Sequence, residues 1–152
     1  MYQSLLFCHS ALRWFVLISL IYSIFRAYKG YNLKQPFTKT DNSVRHWTAT
    51  IAHIQLTFGI LIYVQSPIVK YFWKNFREGI KNTDAAFFGI LHILLMLSAI
   101  VLITIGSALA KRKQNDSDKF RTMLIWFSIA LLIIFIAIPW PFSPLANRPY
   151  FR

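Results

Sequence analysis

The chain has 152 residues, enough for one domain, and is 56% hydrophobic with only 14% charged, against the roughly 25% charged usual in a soluble domain. Its net charge of +12 would suit nucleic acid if the basic side chains formed one patch. They stand in the gaps between long apolar runs, which excludes a nucleic-acid partner and fits a membrane protein in a lipid bilayer. The single cysteine, Cys8, excludes an intrachain disulfide and a cysteine zinc cluster.

The first apolar run is Leu5–Phe25. Met1-Tyr2-Gln3-Ser4 has no basic n-region and no small-residue cleavage site follows, so the run is expected to stay as a span. It carries His9 and Arg13, four residues apart and therefore on one helix face. Ionisable groups inside a span are costly and usually face the interior or water. Arg13 keeps its charge and no acid lies within any span, which leaves a ligand carboxylate, a haem propionate or a row of carbonyls as its partner. Cys8 reads as a small apolar filler.

The second span is Trp47–Val64, with Thr40 or Asp41 placed to cap an earlier start and Pro67 closing the far end. It carries His53, while His46 beside Trp47 reads as interfacial. In the loop SPIVKYFWKNFREGIKNTD, Ile68, Val69, Phe72, Trp73, Phe76 and Ile80 share one helical face. Lys70, Lys74, Arg77, Glu78 and Lys81 share the other. That pattern predicts a short amphipathic helix lying in the membrane interface.

The third span, Ala85–Ala110, carries His92 on a face with Ala85, Gly89, Met96, Ala99 and Gly106. Small residues there admit either a flat ligand or a close helix. The fourth span, Thr122–Trp140, has no ionisable residue before Pro139 and reads as packing. The stretch PWPFSPLANRPYFR should be irregular and interfacial.

Irregular backbone cannot face lipid, so the pattern predicts an all-α integral membrane protein. It is an antiparallel four-helix bundle forming one domain over residues 1–152. Orientation follows from basic residues in the loops. Arg26, Lys29, Lys34, Lys39 and Arg45 in the first loop and Lys111, Arg112, Lys113, Lys119 and Arg121 in the third make ten. Lys70, Lys74, Arg77, Lys81, Arg148 and Arg152 on the other side make six. Both termini are therefore expected outside.

Depth sorts the histidines. At ~1.5 Å per residue, His9 and His92 lie about five and seven residues from the outer ends of their spans and differ by only about 3 Å in depth. His53, about twelve residues in, lies roughly 18 Å deep. His9 and His92 are therefore the pair most easily bridged by one flat cofactor, and two neutral imidazoles suit the iron of a haem. His53 is the substitute ligand if tilt brings it level. Arg13 would pair with a propionate or a quinone carbonyl, and Lys70, Lys74 and Arg77 could meet propionates at the outer surface. Zinc fits less well, because the depths disagree and no carboxylate is near. The acids Asp41, Glu78, Asp84, Asp116 and Asp118 lie in loops or at span ends and supply no intramembrane proton relay. The competing reading is a cofactor-free membrane scaffold or accessory subunit, with His9, His53, His92 and Arg13 as a buried polar network that sets helix register.

HSALRW, QPFTK, AHIQLTFGILIYVQSP, LITIGSALAKR and IPWPF resemble a family of small bacterial four-helix membrane proteins commonly labelled cytochrome b-like. The resemblance covers nearly the whole chain, and the AHIQL–x–x–G–x–x–x–Y–x–x–SP pattern is its most specific part. It implies a haem b, histidine-ligated electron carrier or accessory subunit of the bacterial cytoplasmic membrane. Such a protein would exchange one electron at a time with a quinone or a redox partner protein, alone or as part of an oligomer or complex. His9, His53 and His92 stand at the family's histidine positions. Leu91 stands where members often carry an acid, and Ala137 where some carry a base.

Overall fold

A computed structural model describes residues 1–151; Arg152, one of the six basic residues counted above, lies outside the described residues. The chain is 81% helical, with no strand among the described residues. The helices are α1 (Tyr2–Asn32), α2 (Lys39–Gln65), α3 (Pro67–Lys74), α4 (Phe76–Gly79), α5 (Thr83–Ala86), α6 (His92–Arg112) and α7 (Asp116–Ala137). A π turn, Phe87–Leu91, joins α5 to α6 without a break. Four helical runs are long and apolar enough to cross a membrane: α1, α2, the continuous Thr83–Arg112 and α7.

α1 packs on α2 and α7, and α6 packs on α7 and α2, so α1 and α6 sit diagonally. Side-chain pairs between α1 and α2 occur in reversed order, His9 with Gln55, Ser23 with Thr48 and Arg26 with Asp41, so these helices run antiparallel. Below, the upper half is the one holding Tyr2, the short helices and the end of α7. The lower half holds the two basic loops.

The lower half is closely filled. Leu20, Ala27, Ile103, Ala110, Phe120 and Phe127 are buried. Gly30 lies against the Phe120 ring and Gly106 against Trp126, and at either position an added Cβ would overlap the aromatic side chain. Polar groups meet there too. Ser23 and Thr48 share a hydrogen bond of 2.6 Å, and Thr48 Oγ1 also donates to the Ser19 carbonyl. Arg45, only 5% exposed, donates to the carbonyl and hydroxyl of Ser107 and, through Nε and Nη2, to Asn42 Oδ1.

Two local expectations change. The cap of α2 is Thr38, earlier than Thr40 or Asp41. Asp41 Oδ2 accepts from the Thr38 N–H at 2.9 Å and from its hydroxyl at 2.6 Å, while Thr38 Oγ1 accepts from the Asp41 N–H. This reciprocal box satisfies donors that open a helix. Asp41 also binds Arg26 Nε at 2.7 Å, which ties the start of α2 to the end of α1. The single amphipathic helix predicted after the second span is divided at Asn75 (φ −125°, ψ 55°) into α3 and α4. The Asn75 N–H closes the last helical bond of α3 on the Tyr71 carbonyl, and its side-chain amide donates to the same carbonyl, a local side-chain bond of the kind that competes with helix continuation. Val69 and Phe72 therefore turn inward, whereas Trp73, Phe76 and Ile80 stay exposed.

Candidate cofactor cavity

A cavity of about 400 Å³ occupies the upper half, within the roughly 300–1,000 Å³ range of small-molecule sites. Its wall is largely aliphatic. His9 and Arg13 of α1, Gln55 and Gly59 of α2, and His92 of α6 all line it. The diagonal placement of α1 and α6 leaves the two histidines facing a common space rather than packing helix to helix.

His9 is held from α2. The Gln55 amide donates to the His9 carbonyl at 3.0 Å and stands 3.3 Å from His9 Nε2. An amide N–H can only donate, so Nε2 accepts and the ring proton sits on Nδ1. That Nδ1 is buried without a hydrogen-bond partner, and so is Gln55 Oε1. Gly59 makes room for the ring, since a Cβ there would come within 3.3 Å of His9 Cε1.

His92 is held from α7. Its Nδ1 lies 2.8 Å from the Ala137 carbonyl, which accepts only, so Nδ1 carries the proton and Nε2 is bare. The bond uses the backbone of Ala137, so its side chain does not matter to it. The π turn ends at His92, whose N–H bonds the Phe87 carbonyl five residues back. Phe87 and Phe88 flank the imidazole, with centroids 5.6 and 6.1 Å away.

Residues 138–151 cross this end of the molecule. They are irregular, as expected, but pack inward: Trp140 and Ala146 are buried, and the Tyr150 and Phe151 rings lie 6.2 Å from Trp14. Arg13 donates to the Tyr150 carbonyl and sits 5.7 and 6.0 Å from the Trp14 and Trp140 rings. Among the partners considered from sequence, then, a carbonyl is supplied by the chain itself. Arg148 lines the cavity, pairs with Asp84 at 2.7 Å and covers Phe88 at 5.0 Å. Sequence reasoning missed this pair and Gln55. Nothing local links Arg148 to Asp84, while Gln55 could have been found because it shares a helix face with Gly59.

His53 is not brought to the cavity. It is exposed on the outer seam between α2 and α6, its Nδ1 2.7 Å from the Ala49 carbonyl and its Nε2 3.2 Å from Thr104 Oγ1. His46 is exposed beside Trp47. Lys70, Lys74 and Arg77 are exposed on α3 and α4 and do not line the cavity. Among the described residues no three His, Cys, Asp or Glu side chains are grouped closely enough to hold one metal ion.

No protein-family model, no curated protein and no solved structure matches the chain.

Proposed function

We propose that the chain is an antiparallel four-helix bundle of a bacterial cytoplasmic membrane, both termini outside, that binds one haem b and carries single electrons. A quinone or a redox protein would be the exchange partner. The observation that carries this reading is the pair of histidines. His9 and His92 come from diagonal helices and line one apolar cavity. His92 spends its Nδ1–H on the Ala137 carbonyl, which leaves Nε2 with a free lone pair. His9 Nδ1 is unpartnered and would ligate once its proton moves to Nε2 and Gln55 turns its own unpartnered amide oxygen toward that nitrogen.

With that change of tautomer this donor set would fit a bis-imidazole haem. Haem iron would supply the one-electron couple. The Ala137 carbonyl fixes the His92 tautomer and raises the basicity of the ring. Neutral imidazoles suit a site of low polarity. Arg13 would supply a fixed positive charge for a propionate, and the aliphatic wall would limit water, two of the means by which a protein sets a haem potential. His53 drops out of the ligand set on its position.

The cofactor-free scaffold reading also has an observation in its favour. The bonds from Gln55 to His9, from His92 to Ala137 and from Arg13 to Tyr150 each join separate parts of the chain.

A reduced-minus-oxidised absorbance spectrum of protein purified in mild detergent from haem-sufficient cells separates the two. Sharp α and Soret bands near one haem per chain are expected. They should vanish in His92→Ala and persist in His46→Ala and His53→Ala. A flat wild-type spectrum, repeated after adding haem, sinks the haem reading.

A further inference from the structure

The π turn before His92 has an external support. The Tyr63 hydroxyl donates to the Gly89 carbonyl, inside the turn, at 2.6 Å. The Trp73 indole N–H, from α3, donates to that hydroxyl at 2.8 Å. An indole nitrogen only donates and a hydroxyl has one hydrogen, so the order Trp73 to Tyr63 to Gly89 is fixed. Phe72, the residue next to Trp73, is fully buried against the same turn, and a Cβ on Gly89 would overlap its ring. Two adjacent residues of α3 therefore seat on the turn, one by shape and one through a hydrogen bond relayed by Tyr63.

What the turn does for His92 follows from helix geometry. A π turn inserts one extra residue, and such turns are rare and short. Relaxing it to an α turn would rotate the residues beyond it by about 100°. The imidazole would then leave both the Ala137 carbonyl and the cavity.

We propose that Tyr63, oriented by Trp73, is the positioning residue that holds the π turn and so aims His92 into the cavity. Trp73 is 54% exposed, so the surface helix α3 and the intramembrane histidine are coupled through one phenol. The spectroscopic part of this inference rests on the haem reading; the backbone part does not.

The test uses full-length protein in detergent, comparing wild type with Tyr63→Phe and Trp73→Phe. The first readout needs no cofactor: amide hydrogen exchange of residues 87–92, with residues 99–110 as the control. In Tyr63→Phe, exchange over 87–92 is expected to speed up about fivefold, the size of one neutral hydrogen bond, with the control unchanged. Trp73→Phe should give a smaller change of the same sign. The second readout is the low-temperature electron paramagnetic resonance spectrum of the haem-loaded protein, whose g-values report imidazole orientation. Tyr63→Phe should shift them and weaken haem binding about five- to tenfold, while the melting temperature of the apoprotein stays within a few degrees.

Unchanged exchange over 87–92 in Tyr63→Phe overturns the inference, whatever the haem does. Faster exchange with unaltered g-values and affinity overturns the positioning role and leaves Tyr63 as ordinary packing. Faster exchange in a chain that never takes haem overturns the haem reading instead and supports Tyr63 as the support of the turn.

Discussion

The upper and lower halves are built from the same four long helices and treat polar side chains in opposite ways. In the lower half, Ser23 meets Thr48, Asp41 meets Thr38 and Arg26, and Arg45 meets Ser107 and Asn42. Among the described residues, no buried polar side-chain atom there lacks a partner. The upper half leaves His9 Nδ1, Gln55 Oε1, Trp14 Nε1 and Arg148 Nε buried and unbonded, around a cavity of about 400 Å³. Glycines follow the same division. Gly30 and Gly106 yield their space to the aromatic side chains of neighbouring helices, whereas Gly59 yields it to the ring of His9. A buried polar group without a partner costs roughly 1–3 kcal/mol. The lower half therefore reads as the clamp that holds the helices together, and the upper half keeps unpartnered polar atoms around a cavity, where the proposed haem would sit.

Substitutions can break that division or sharpen it. The largest effect is expected in the upper half: His92→Ala should remove the haem spectrum entirely, while the apoprotein stays folded and loses only the roughly 1–3 kcal/mol of an orphaned Ala137 carbonyl. The reverse is expected for Arg45→Met. Its buried acceptors lose their donor, at roughly 2–3 kcal/mol, and unfolding titrations in mixed micelles should show the loss with the spectrum intact. If Arg45→Met instead bleaches the spectrum, the two halves are not separate.

Gly30→Ala comes next. Its new methyl group meets the face of Phe120, a stiff ring with little freedom to move, and overpacking of this kind costs roughly 1–2 kcal/mol. The same micelle titration reads it. Asp84→Asn should cost less, because the side chains of the Arg148 pair are 21% and 44% exposed and such pairs contribute about 1 kcal/mol or less. Its signature is kinetic, with haem transfer to apomyoglobin a few times faster than in wild type. The smallest effect belongs to His53→Ala, which should leave spectrum and haem transfer as they are. A bleached His53→Ala would return that residue to the ligand set.

The long helices were legible in the sequence because apolar length is a local property. So was the nearness of His9 and His92, because depth along a span is set by residue count alone. The outward position of His53 was not read, although a signal existed. Ala52 is buried and Gln55 and Gly59 line the cavity, so one face of α2 points inward, and a residue directly after Ala52 lies about 100° away from it. The box Thr38–Asp41 was also readable from its spacing. Other features depend on contacts that no local pattern encodes. The pairing of Arg148 with Asp84 spans 64 residues. The π turn looks in sequence like any other apolar stretch, and only Tyr63 and Phe72, brought to it by the fold, distinguish it.

Residues 138–151 leave the ribosome after all four long helices, yet Arg148 reaches back to Asp84 and the Tyr150 carbonyl reaches Arg13. The segment therefore ties two distant parts of the upper half together from one end of the chain. On the proposed haem reading, a bound guest would exchange most readily when residues 138–151, which line one side of the cavity, lift away.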